Sequence, residues 1–264
     1  HRDLHSFPTR RSSDLVVGFL NYLLEDYGDE WLTKCMFHFR WAHPENAEKA
    51  RRILPFYSRV NVTDDQVAPF SDQIGKIQIS RLYVVGSNET TGPIIEASYE
   101  RFLSLFDAHL QGAPFLLGAR PGSSDFALCG QLTQLALFDS TAVAITVAKA
   151  PRVYGWTADT EDLSCLAVAE EDWFTRDSVP DTLRALLAEV GRVYVPFLLG
   201  NADAVARGAE QVECIVDGEK WVQPKFPYQA KCLRWIREVR DALGSDERND
   251  LDQILKGTGC EALF

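Results

Sequence analysis

Trp31, Lys34, His38 and Trp41 follow one another at spacings of 3, 4 and 3, which sets them on one face of any helix that spans them. Leu32, Cys35, Met36 and Phe39 fall on the adjoining apolar face. A face that combines indole, imidazole and ammonium is unusual for plain core and could hold a flat aromatic substrate. The alternative is a seam between helices or domains, where Trp and His commonly sit. Cys35 stands three residues before His38, but a nucleophile–base pair needs a third group to orient the imidazole. Cys35 therefore reads as a small buried hydrophobe. His38 and His43 are five residues apart with Pro44 directly after them, whereas a helical metal pair prefers i, i+4, so no metal ligands are assigned. Asp26, Asp29 and Glu30 precede this face and form an acidic run, which is most simply a solvated surface. No Ser/His/Asp arrangement can be assembled, because the histidines past residue 15 are His38, His43 and His109.

The elements that must position these residues are mostly helical by period. Residues 16–41 read as one long helix without proline, with Gly18 and Gly28 weakening it modestly. Pro44 and Glu45 open a second helix to about Leu54. Residues 55–70 read as a loop, since Pro55 and Pro69 bracket Asn61 and Asp64. Residues 74–85 are rich in Ile and Val, and period alone leaves them helical or extended. Residues 93–110 carry an apolar stripe of Ile95, Tyr99, Phe102, Leu103 and Phe106. Helices are expected over 123–138 and 141–149, and an acidic, aromatic irregular stretch over 159–177. Residues 181–206 form another strong helix, which Pro196 should kink or divide. Residues 211–223 alternate about Asp217-Gly218, the best β-hairpin signal in the chain. Helices over 227–243 and 246–256 close it.

One segment is more specific than the rest. Phe115, Leu116, Leu117 and Gly118 form an apolar strap; Pro121 and Gly122 make a turn; Ser123 to Leu128 begin a helix that is apolar at once. Asp125 stands three residues after Gly122, where an N3 carboxylate reaches back to the free N–H groups of an N-cap. The apolar residues that follow predict a buried helix start, whose orphan N–H groups must be satisfied internally.

This F-L-x-G-x-x-P-x-x-x-D-x-x-L pattern resembles the capping-box segment of the helical C-terminal domain of glutathione S-transferases. The resemblance extends over residues 16–160. It departs from the family at Gly122, where a Ser or Thr usually caps; Ser123 is the other candidate cap, and the loss is a few tenths of a kcal/mol. The resemblance implies a scaffold whose first long helix walls the electrophile pocket, which would give Trp31, Lys34, His38 and Trp41 a small hydrophobic or aromatic substrate. It also implies a homodimer, in which Asp26, Asp29 or Glu30 reaches the neighbouring subunit's glutathione. The thiol-activating Ser, Cys or Tyr of such transferases belongs to an N-terminal thioredoxin-like domain. Nothing in this sequence reads as that domain, so no catalytic residue is assigned and glutathione is expected as cosubstrate of an intact parent, not as a ligand of this chain alone.

Residues 5–15 match the translation of a common sequencing-library adapter, and residues 1–15 are set aside as an artefactual leader, with the coding sequence expected to be truncated ahead of Val16. Their three Arg and two Asp turn the chain's net charge of −11 into −12 for the remainder. With no Lys/Arg cluster to offset it, such a surface repels phosphate backbones and anionic lipid, so neither nucleic acid nor membrane is an expected partner. The six scattered cysteines suit a reducing cytoplasm. The expected fold is all-α: a glutathione S-transferase C-terminal-like bundle over 16–160, with a helical extension over 161–264 that carries the hairpin and packs on the bundle. Two functional classes follow, the substrate-wall half of a transferase-like protein or a non-catalytic helical binding module.

Overall fold

The computed structural model describes residues 12–264, so most of the adapter-like segment 5–15 lies outside the described residues. Within them, Asp14 Oδ1 accepts from Val16 N at 2.9 Å and caps the first helix.

The described chain is mostly helical, with one two-stranded antiparallel sheet. Helix α1 (Leu15–Tyr27) passes through a π-helical turn, Gly28–Leu32, into α2 (Thr33–Ala42). At this turn α6 (Ser123–Leu135) packs close: a Cβ on Gly28 would stand 3.2 Å from Ala127 Cβ. The single long helix expected over 16–41 is thus continuous in path but shifted in phase at its centre.

Two proline positions differ from the sequence expectation. Residues 55–70 are largely helical, because α3 (Pro44–Ser58) contains Pro55 and α4 (Asp64–Ile79) contains Pro69. A capping box starts α4, with Gln66 Oε1 accepting from Thr63 N at 3.1 Å. The two helices pack on each other, with Arg51 of α3 lying beside Gly75 of α4. A 3₁₀ turn, Leu82–Val85, follows and ends at Gly86, whose φ of 76° only glycine adopts freely. Then come α5 (Gly92–His109), α6, α7 (Ser140–Lys149) and α8 (Pro151–Thr160).

Beyond residue 160 the chain makes two 3₁₀ turns, Glu170–Asp172 and Arg176–Ser178, before α9 (Asp181–Glu189). A second π turn, Val190–Tyr194, separates α9 from α10 (Val195–Ala206), so the division expected at Pro196 falls just ahead of it. Strands β1 (Gln211–Val216) and β2 (Glu219–Pro224) pair through Asp217 and Gly218, both at positive φ as a type I′ turn requires. Helices α11 (Pro227–Asp241) and α12 (Ser245–Leu255) complete the chain.

One continuous apolar core draws side chains from both halves, from Val16 and Phe106 to Trp221 and Leu255. Trp31 on the π turn meets Trp221 of β2 at 5.4 Å and Phe197 of α10 at 6.3 Å between ring centroids. Arg101 of α5 reaches Glu189 of α9 with two bonds of 2.8 and 2.9 Å and Asp217 of the hairpin turn at 3.0 Å. The strap ahead of α6 is paired to the second half as well, Ala119 N donating to Asp172 O and Phe174 N to Leu117 O, each at 2.7 Å. Gly118 sits at φ 135° with Asp172 O only 2.1 Å from where a Cβ would be, so no other residue fits this pairing.

Candidate functional site

The start of α6 is a closed polar knot at the base of α1. Asp125 is fully buried; its Oδ2 accepts from Gly122 N at 2.8 Å and its Oδ1 from Leu116 N at 2.9 Å. One carboxylate therefore satisfies the cap and the strap together. Burial pushes the Asp125 carboxyl up to about 7, against the pull of those two N–H bonds. Ser123 Oγ donates to Glu25 Oε2 at 2.7 Å and accepts from Asn21 Nδ2 at 2.9 Å. Asn21 Oδ1 accepts from Ser124 N at 3.0 Å, taking the part of an N-cap hydroxyl from a different helix. The same oxygen lies 2.6 Å from where a Cβ on Gly122 would stand. Glycine at the cap position is thus required by Asn21.

The mixed face of the first long helix is buried rather than open. Trp31 is wholly enclosed and donates from Nε1 to Ser98 Oγ at 2.9 Å. Lys34 Nζ donates to Gln223 Oε1 at 3.1 Å and lies 4.2 Å from the centre of the Phe197 ring. Burial lowers the Lys34 ammonium to about 8. Gln223 Oε1 also accepts from Trp221 Nε1 at 3.0 Å, so β2 covers this part of the helix. Trp31 and Lys34 meet under β2, His38 turns to Ser87 and Glu96, and Trp41 packs with Ala47, Ala50 and Phe138 in a separate cluster. Lys34, His38 and Trp41 share the regular helix α2, but different segments pack over them: β2 over Lys34, Ser87 and Glu96 beside His38, and α3 with Phe138 over Trp41.

The acidic run is likewise engaged by the chain's own second half. Asp26 is buried and accepts from Tyr194 Oη at 2.6 Å, while Glu30 Oε2 accepts from Gln229 Nε2 at 2.8 Å. Burial raises the Asp26 carboxyl to about 7, with Glu30 and Asp29 adding to the rise. Asp29 is half-buried. Asp26 and Glu30 therefore face Tyr194 and α11.

A constellation that helical spacing conceals lies at the far end of α2. His38 Nε2 and His43 Nε2 each stand 3.1 Å from the same atom, Glu96 Oε1 of α5. The three donor atoms lie within 4.8 Å of one another. Pro44 drives the residue before it out of the helical region, and His43 accordingly adopts φ −92°, ψ 119° at the corner between α2 and α3. Its side chain is freed from the helical period and turns back over His38, so a spacing of five brings the rings together. His38 Nδ1 is 2.8 Å from Ser87 Oγ, and burial holds its imidazole below the usual pKa. Gly92 gives the His38 ring room, since a Cβ there would meet His38 Cε1 at 3.0 Å. The His43 ring stacks on Phe39 at 5.4 Å with an interplanar angle of 11°. Among the described residues this is the group of three or more His, Cys, Asp or Glu side chains whose donor atoms converge closely enough to hold a metal ion. The dipeptide His43-Pro44 was its one sequence signal; Glu96 carried none.

No protein-family model matches the chain, and no curated protein or solved structure matches it.

The free cysteines are mostly buried and offer no paired thiol chemistry among the described residues. Burial drives the Cys35 and Cys260 thiols up to about 12, which keeps both protonated and unreactive near neutral pH. A groove of about 570 Å³ between α5 and α9 is lined by Glu100, Arg101, Lys149 and Glu189, and none of the residues singled out from the sequence reaches it. No described helix is long and apolar enough to cross a membrane.

Proposed function

We propose that this chain is the helical part of a glutathione S-transferase-like protein, and that it serves there as a scaffold while glutathione is activated by a thioredoxin-like domain. The observation that carries the proposal is the pair of bonds from Asp125 to Gly122 N and Leu116 N. A buried carboxylate that ties an apolar strap to a buried helix start is the physical purpose of the segment on which the resemblance rests. In such a protein the substrate is a small hydrophobic or aromatic electrophile, glutathione is the cosubstrate, and the assembly is a cytoplasmic homodimer.

Burial of Trp31 and Lys34 beneath the chain's second half favours a second reading beside it. The helical module then acts without catalysis, as a binding or scaffold unit, since the wall that would face an electrophile is occupied by Trp221 and Gln223.

The test is conjugation of glutathione to a model aromatic electrophile, performed on this chain and on the product of the full reading frame recovered from the source DNA. The expected result is no enzymic turnover by this chain and turnover by a product that includes a thioredoxin-like segment with Ser, Cys or Tyr in its first loop. A full reading frame without such a segment, and without turnover, overturns the transferase proposal in favour of the binding module. Turnover by this chain alone overturns the division of labour.

A further inference from the structure

We propose that His38, His43 and Glu96 form a binding site for a divalent first-row transition metal ion, with zinc as its occupant. Three features of the geometry carry the proposal beyond a simple cluster of polar groups.

The first is distance. A tetrahedral zinc centre with bonds of about 2.0–2.1 Å sets its ligand atoms about 3.3 Å apart. Both Nε2–Oε1 separations are 3.1 Å, and the third edge is no longer than 4.8 Å.

The second is an unanswered nitrogen. His38 Nε2 lies in hydrogen-bond geometry with Glu96 Oε1. His43 Nε2 is equally near but outside that geometry, and it is closed off from solvent without a hydrogen-bond partner. A carboxylate bridging two imidazoles therefore leaves this buried atom unsatisfied, which is costly. A metal ion at the centre accepts lone pairs from all three atoms at once. The cations nearest along α2 are directed elsewhere, Lys34 to Gln223 and Arg40 to Asp139.

The third is support around the ligands. Ser87 Oγ can accept a hydrogen bond from His38 Nδ1–H, the tautomer that leaves the lone pair on Nε2. Ser87 is itself held, its N–H donating to Leu82 O at 3.0 Å. Phe39 fixes the plane of His43, and Gly92 fixes the space around His38. The ligands stand on α2, on the α2–α3 corner and on α5, all parts of the packed bundle.

Two imidazoles with one carboxylate select zinc and its neighbours over magnesium or calcium, which prefer oxygen alone. Glu96 is 40% exposed at its side chain, so the fourth position opens to solvent and would carry water or a small anion.

The test uses the full chain, stripped with chelator and desalted, titrated with zinc against a chromophoric competitor, and separately loaded with cobalt. One equivalent of zinc is expected to bind, with magnesium failing to compete. His43→Ala and Glu96→Gln, both at half-exposed positions, should each weaken zinc by about tenfold or more while circular dichroism shows the fold retained. The cobalt complex should show visible bands without intense near-ultraviolet thiolate absorption. Absence of stoichiometric zinc, or affinity unchanged in both variants, overturns the site. Strong thiolate bands overturn it too, because they would place the ion on cysteine.

Discussion

Asn21 Oδ1 accepts the backbone N–H of Ser124 at 3.0 Å across 103 residues of sequence, and so a side chain of α1 caps the helix that α1 packs against. The local cap expected from Gly122, Ser123 and Asp125 is thereby completed from outside the segment. The amide oxygen occupies the space beside Gly122 that a side chain at that position would need.

Gly122→Ser is therefore expected to destabilise the protein, although serine is a better N-cap than glycine in isolation. The new Cβ would stand 2.6 Å from Asn21 Oδ1, and the loss should be roughly 1–3 kcal/mol. Combining it with Asn21→Ala should make the serine less harmful, or even beneficial, because the hydroxyl can then serve the freed N–H. Urea unfolding of both single variants and the double variant reads the coupling. Strict additivity would show that Asn21 does not contest the cap.

Asp125→Ala should cost more than an ordinary cap deletion of about 1 kcal/mol. It strips the acceptor from two buried N–H groups, Gly122 and Leu116, and roughly 2–4 kcal/mol is expected. A melting temperature within a degree of the parent would show that water reaches these donors.

Asp26 supplies the pH dependence. Its folded-state carboxyl is raised from 3.8 to about 7 by burial, opposed by the bond from Tyr194 and reinforced by Glu30 and Asp29, with the Cys232 thiol also beside it. Between these values the folded protein holds a proton that the unfolded chain has lost. Stability contributed by this group is fully present below pH 4 and is lost as pH rises through 7. The loss is on the order of 2–4 kcal/mol, and Asp125 adds to it over the same window. Asp26→Asn keeps an acceptor for Tyr194 and should flatten the decline between pH 5 and 7.5 in denaturant titrations. An unchanged slope in that variant would mean that Asp26 is ionised throughout.

The candidate sites were legible to very different degrees. Asp125 was readable because capping is local: a carboxylate three residues past a turn has one nearby use, and burial of the following apolar residues follows from their number. The metal-type cluster was not, since Glu96 lies 53 residues from His43 and nothing in its own helix marks it. The mixed face of Trp31, Lys34, His38 and Trp41 was legible as a pattern but not as an environment. Helical period says which residues share a side and says nothing of what will cover them.

By itself, then, the sequence determined what depends on near neighbours: the helices over residues 93–110 and 181–206, the hairpin turn at Asp217-Gly218, and the buried start of α6. Its apolar spacing, turn residues and cap chemistry act within a few positions. Tertiary structure alone decided that Pro55 and Pro69 stay helical, that Asn21 takes over the cap, and that β2 seals Lys34 with Gln223. It also decided that two histidines five apart converge on one carboxylate oxygen. Each of these depends on contacts between distant segments, whose free energy exists only once the helices have packed.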